Sequence, residues 1–522
     1  MRSLLDLLDQ PEILSILFSL IAILVVVSLY RQFLSPWTAT SKRELVLPPS
    51  PPKLPIIGNL HKVGSQPHRS LYSLAQQHGS LMLLHFGHVP VLVVSSSGGA
   101  REIMKTHDLT FANRPKVSNT EKLLYDGKDV SQAPYGEYWR QMRSISVLHL
   151  LSSKRVHSYC AVRQEEMALA IQRIENLCSS ALPVNLSEVF STVTNDIICR
   201  VALGRKYSEG TKFQKLLSEF GELLGVINIG DYIPWLAWIS HVNGWNSRTD
   251  RVAKELDSFF DGVVDEHIDR YEKGCHDINV GIKTEEDQRD FVDVLLEIQR
   301  ENTVGFPIDR VSIKAIILDM FAAGTDTTYT VLEWAMTELL RHPEIMKELQ
   351  KEIRHVAGDK SDVSEDDLDE MHYLKAVIKE TLRLHTPIPL LVPRISTKDV
   401  KINGYDIAQG TRVLINAWAI GRDPSSWERP EDFFPERFLN SSIDFKGHHF
   451  ELIPFGSGRR ICPGIQFAMK INELFLANLV HKFDWSLPGG ANDKDLDMSE
   501  SFGITIHRKS PLIAIGTPCF CH

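Results

Sequence analysis

From about residue 60 onward the sequence contains no Gly/Ser linker, no internal repeat and no low-complexity tract. That excludes a string of tethered modules. Although 522 residues would suggest about three domains on length alone, the chain reads as one large globular unit. It also lacks any excess of positive charge. The formal net charge is −9, and phosphate binding needs a basic face, so nucleic acid is excluded as a principal partner, while local basic patches remain able to dock an acidic one. A disulfide framework is missing too: the seven cysteines are scattered and odd in number, which fits a reducing compartment. Cys519, Cys521 and His522 crowd a terminal tail and read as incidental rather than as a metal site.

What is present is an ordinary folded composition, 43% hydrophobic and 24% charged, with ample chain for a core. Ahead of it, Ile13 to Tyr30 runs without a charge. At the helical rise this run measures about 27 Å, enough to span a thin endoplasmic-reticulum bilayer. Asp6, Asp9 and Glu12 precede it, and Leu29-Tyr30-Arg31-Gln32-Phe33 follows it, which argues for an anchor over a cleaved signal peptide. Arg31, Lys42 and Arg43 after the run outnumber Arg2 before it, placing the main body on the cytosolic side. The sequons at Asn185 and Asn440 are then expected to stay unglycosylated. Pro48-Pro49-Ser50-Pro51-Pro52-Lys53-Leu54-Pro55 reads as a stiff polyproline hinge that orients the body on the membrane.

The most informative stretch is Phe455-Gly456-Ser457-Gly458-Arg459-Arg460-Ile461-Cys462-Pro463-Gly464. It reads as a loop that brings one cysteine thiolate under a flat cofactor, with Cys462 the candidate axial ligand of a haem. Gly456 and Gly458 lack Cβ atoms and are expected to let the loop lie against a planar ring. Phe455 is placed to cover the sulfur and Arg460 to meet a propionate. Ile465, Ala468, Met469, Ile471, Leu474, Phe475 and Leu479 then show helical spacing, so the cysteine is expected at a helix start that favours the thiolate. No Cys-x-x-Cys-His is present, so covalent haem attachment is unsupported.

Asp309, a plausible N-cap, to His342 before Pro343 reads as one helix of about 33 residues, about 50 Å long. Ala323-Gly324-Thr325-Asp326-Thr327-Thr328 interrupts its apolar pattern with poor helix formers, so a local opening of the hydrogen-bond ladder is expected there, making a groove for O2 and water. Asp326 and Thr327 set an acid beside an alcohol, which suits proton delivery through ordered water.

The pattern F-x-x-G-x-R-x-C-x-G resembles the haem-binding loop of the cytochrome P-450 superfamily, and every defining position is matched. The segment 323–328 resembles that superfamily's A/G-G-x-D/E-T-T/S motif. Glu380-Thr381-Leu382-Arg383 resembles its E-x-x-R pair, Pro435-Glu436-Arg437-Phe438 the segment supplying a second arginine, and Trp139 to Arg143 its W-x-x-x-R motif. The resemblance runs from the anchor to about Arg508 and is closest to the plant microsomal A-type group.

This resemblance implies a mainly α fold, a single large helical domain with small peripheral sheets. It divides the chain into an anchor (1–31), a basic and proline-rich hinge (32–59), a catalytic domain (60–510) and a tail (511–522). It implies haem b on Cys462, with Gly464 beside it and Trp139, Arg143, Arg394 and Arg460, joined by Arg140, toward the two propionates. Glu380, Arg383 and Arg437 become a buried scaffold. The implied reaction is insertion of one oxygen atom into a small apolar molecule, such as a terpenoid, alkaloid or phenylpropanoid. Electrons come from NADPH through a reductase, with cytochrome b5 a further donor. Expected substrate contacts are the loop from Asn113 to Val130, Ile316, Ala323, the stretch from Ile388 to Val392, and Phe502 in the turn Phe502-Gly503-Ile504. A related haem-thiolate dehydration, rearrangement or ring closure, for instance of an aldoxime, is the alternative reaction, and a haem sensor or electron carrier without turnover is the alternative class.

Overall fold

The computed structural model describes residues 19–20, 23–24, 45–180, 182–207, 211–273, 289–302, 305–490 and 496–519. Most of the apolar run Ile13 to Tyr30, the first part of the hinge, Cys275, Cys521 and His522 lie outside them. Among the described residues no single helix is long and apolar enough to cross a membrane.

Helices dominate and pack around one of their number, the central helix Arg310–Arg341. Its start is set by Asp309, whose side chain accepts the Ser312 N–H at 2.7 Å. Its end is set by His342 and the proline that opens the next helix, Pro343–Ala357. Ile313, Ile316, Ile317 and Leu318 in its first half, and Met336 and Leu339 in its second, have no exposed surface. This buried rod therefore lies against the helices Leu186–Leu203, His372–Leu384 and Ile465–Lys482.

Among the described residues three small sheets sit at the periphery. In the largest, Leu81–Phe86 pairs antiparallel with Val89–Val94, which runs parallel to Arg412–Ile415. Arg394–Ile395 closes that sheet, with Arg394 opposite Val413. Val184–Asn185, Ile513–Pro518 and Phe483–Ser486 form the second, and Val400–Ile402 with Tyr405–Ile407 the third. A chain this rich in helix, with short strands confined to the margin, is the mainly α architecture that the sequence led us to expect.

Candidate active site

The cysteine loop is held by its own backbone. The Cys462 N–H donates to the Phe455 carbonyl at 3.0 Å and the Gly456 N–H to Ile453 at 3.0 Å, closing a tight loop ahead of the helix Ile465–Lys482. Gly456 and Gly458 have φ of 71° and 70°, a region that favours glycine. Their surroundings differ. A Cβ on Gly458 would come within 2.2 Å of the Met104 carbonyl oxygen, so this glycine serves a close approach between two protein segments rather than to a ring. A Cβ on Gly456 would meet only Leu391, at 4.0 Å. Cys462 lies three residues before the first helical residue, further from the helix start than expected. Desolvation pushes its thiol up, against a Gly464 N–H and the Arg143 charge that pull it down. Coordination to a metal would secure the thiolate, since a bound thiol is deprotonated outright.

Around this loop lies a cluster of arginines. Arg460 donates to the carbonyls of Ala112 at 2.8 Å, Val130 at 3.2 Å and Ala133, and its guanidinium lies 4.3 Å from the Trp139 ring centre. Trp139 donates to the same Val130 carbonyl at 3.0 Å. Arg394 donates to the Ser457 carbonyl at 2.9 Å and faces Asp108 at 3.4 Å. Arg114, absent from the sequence reading, donates to Ser131, Val392 and Pro393 carbonyls at 2.7–2.9 Å. Burial pulls Arg114 well down, and the charges of Arg394 and Arg460 lower it further. Burial and the neighbouring Arg394 bring Arg460 down to about 9. Arg143 is half-buried near Cys462, and among the described residues no hydrogen bond or ion pair engages it. Arg140 instead points into solvent.

Behind the loop, Glu380 grips Arg383 with two hydrogen bonds of 2.7 Å and accepts Arg437 at 3.0 Å and the Phe434 N–H at 2.8 Å. Glu380 and Arg383 have no exposed surface. Arg383 spends its remaining donors on the carbonyls of Gly421, Pro430 and Asp432, so it pins two segments, at 421 and at 430–432, to the helix His372–Leu384.

The central helix stays α-helical through 323–328, so the expected opening of its ladder is absent. Gly324 has another reason to be there: a Cβ would strike Ile198 of the neighbouring helix at 2.8 Å. Thr327 Oγ1 donates to the Ala323 carbonyl at 2.5 Å, adding to the ladder rather than replacing it. Residues 322–327 are nonetheless a break in an otherwise mostly buried helix, with Ala323 exposed, the rest half-buried and the Asp326 side chain 44% exposed. Further back, Asp319 accepts the Val130 N–H at 2.6 Å, and burial together with the Asp129 charge drives its carboxyl well above the usual range.

A cysteine loop, a guanidinium cluster and an acid-alcohol pair on one helical framework invite comparison with known proteins. The cytochrome P450 family model matches residues 48–514. The chain belongs to the cytochrome P450 family. Cytochrome P450 736A117 of Prunus mume is 61% identical over 510 residues, 96% of each chain. Norfluorocurarine oxidase of Strychnos sp is 51% identical over 502 residues, 95% of this chain and 97% of that one. A solved zebra fish cytochrome P450, obtained with abiraterone, superposes with a TM-score of 0.72 at 26% identity, covering 87% of this chain and all of the other. The protein is a plant P450 of the A-type group, a haem-dependent monooxygenase that uses O2, an organic substrate and a redox partner.

The cofactor of this P450 is haem b ligated by cysteine, and the residues fit it. A half-buried guanidinium without a partner among the described residues, beside others whose charge burial and mutual repulsion destabilise, suits a ligand bearing two carboxylates. The expected substrate contacts divide. Ile316 is fully buried among core side chains, Ala323 is exposed, and Phe502 is 60% exposed. Ile388 and Val392 are half-buried and flank Leu391, whose φ of 50° is strained for a non-glycine residue. The loop from Asn113 to Val130 supplies scaffold as well as lining: the Asn113 carbonyl accepts from Ile395, and Val130 joins Trp139 to Arg460.

Proposed function

We propose that this P450 is anchored in the endoplasmic-reticulum membrane by residues 1–31, with its catalytic domain in the cytosol, and oxidises a small apolar specialised metabolite of terpenoid, alkaloid or phenylpropanoid type. Electrons pass from NADPH through a cytochrome P450 reductase, with cytochrome b5 a second donor. The observation that carries this reading is the half-buried Asp326-Thr327 pair in the midst of a buried helix, on a chain whose cysteine loop and Arg143, unpaired among the described residues, suit a haem. That a relative is named for oxidising norfluorocurarine supports the substrate class.

In this mechanism Cys462 would hold the iron, and Arg143, Arg394, Arg460 and Trp139 would hold the propionate edge. Bound haem supplies the oxygen activation. Asp326 moves protons in from the solvent side. Thr327 Oγ, its hydrogen committed to Ala323, keeps a lone pair with which to fix a water. Ile388, Val392 and Phe502 offer apolar surface that excludes water from the substrate. Glu380, Arg383 and Arg437 keep the framework behind the loop rigid. Microsomes carrying this chain, fed a panel of plant terpenoids, alkaloids, phenylpropanoids and oximes under labelled O2, should release a product bearing one labelled oxygen atom. Turnover with no label retained would instead support dehydration or rearrangement.

A further inference from the structure

His507, distant in sequence from the acid-alcohol pair, lies against it in space. Its Nε2 is 3.6 Å from Asp326 Oδ2, its Nδ1 is 2.6 Å from Thr330 Oγ1, and its ring stacks on Tyr329 at 4.7 Å and 13°. The position is built. The Ile506 carbonyl accepts from Trp334 at 3.0 Å, the Arg508 N–H donates to Glu333 at 3.0 Å, and Arg508 reaches Thr337 at 3.0 Å. Residues 506–508 are thereby stitched along the central helix on both sides of the histidine. The His507 N–H donates to Ser501 Oγ at 3.2 Å, which fixes its backbone as well.

The hydrogen bonds also assign the ring's protons. Thr330 has one hydroxyl hydrogen, and it goes to the Asp326 carbonyl at 2.7 Å, because a carbonyl can only accept. Thr330 Oγ1 must therefore accept from His507, so Nδ1 carries a hydrogen. Nε2 is left as the nitrogen that gains and loses a proton, and it is the one that faces the Asp326 carboxylate.

We propose that His507 is a positioning residue for Asp326: it orients the carboxylate and returns a proton to it from solvent through Nε2. The inference rests on the relay role proposed above for Asp326 and Thr327. In each cycle Asp326 gives up a proton inward and takes one from Nε2 of the imidazolium, and the same nitrogen then regains a proton from water; the His507 side chain is 21% exposed. The gap of 3.6 Å is closed by a small carboxylate rotation or by one water. The charged and titratable groups about His507 are Asp326, Tyr329 and Glu333 on the central helix, Arg508 beside it and Glu500 across the Glu500–Arg508 bridge. Gly221 of the helix Thr211–Gly225 lies against Asp326. Tyr329 does not compete for the proton, since burial and the charges of Asp326 and Glu333 hold its phenol protonated.

Two measurements test this. In the haem-loaded, carbon-monoxide-bound ferrous protein labelled with 15N-histidine, with His507 assigned by its loss in His507→Gln, the neutral ring should carry its hydrogen on Nδ1. A hydrogen on Nε2 instead would overturn the proposal. With NADPH, the reductase and no added substrate, the rate of NADPH oxidation in the wild type should vary with pH. His507→Gln, and His507→Phe, which keeps the stacking on Tyr329, should flatten that profile and slow oxidation roughly tenfold, with haem content unchanged. If both keep the wild-type profile while Asp326→Asn alters it, His507 is a packing residue and the Asp326 role survives. If Asp326→Asn also leaves it unaltered, the relay reading falls with the proposal.

Discussion

At the scale of single residues, Thr327 has two demands on one hydroxyl. Its hydrogen is committed to the Ala323 carbonyl, so toward a water it acts as an acceptor. Thr327→Ala should therefore leave haem content and NADPH oxidation in place, raise hydrogen peroxide and lower product per NADPH, as read by the stoichiometry of the three. Unchanged product per NADPH would reduce Thr327 to a helix-packing residue. Cys462, Asp326 and Thr327 could be proposed from the sequence because the chemistry they suggest is local: a few residues in a row state it. Arg114, Asp319 and His507 could not. Each matters through partners far along the chain, Arg114 through Val392 and His507 through Asp326, and no periodicity reports such a meeting. The role of Gly458 was misread for the same reason, since the carbonyl it must clear belongs to Met104.

At the scale of elements, the bounds of the central helix were readable, because the Asp309 cap and the proline after His342 are both sequence signals. Its continuity was not, since Gly324 answers to Ile198 rather than to its own ladder. Asp319 ties this helix to the loop that carries Val130 and so steadies Arg460 and Trp139. Its pKa is raised by burial first and by Asp129 second. The stability it contributes is thus complete below an unfolded value of about 3.9 and is lost as pH rises through the raised folded value. Asp319→Asn, which keeps an acceptor for Val130 but has no proton to lose, should show a shallower fall in thermal midpoint as pH rises above the ordinary carboxylate range. Parallel curves for the two proteins would contradict this. Glu380→Ala leaves Arg383 buried without its anion, at a cost of about 3–5 kcal/mol. Its expected outcome is little folded, haem-loaded protein, checked by yield and haem content, while wild-type values would show the scaffold to be dispensable.

For the whole molecule, the absence of linkers led to a single globular unit, whereas the mainly helical architecture and the peripheral sheets both came by resemblance, and strands of two to six residues leave little pattern of their own. Removing residues 1–31 should release much of the protein from membranes with its haem spectrum intact, measured by fractionation. Complete retention on the membrane would place the anchor elsewhere. Glycosylation tests orientation at Asn440, which is exposed. Asn185 is a poor reporter, because its side chain caps a helix at Glu188 and its Ser187 is engaged by Glu333. The central claim is that a thiolate from Cys462 holds the haem of a monooxygenase. The carbon-monoxide difference spectrum of reduced Cys462→Ala tests it most directly: the account predicts that the band characteristic of a thiolate-ligated haem disappears, and an unchanged band would contradict it.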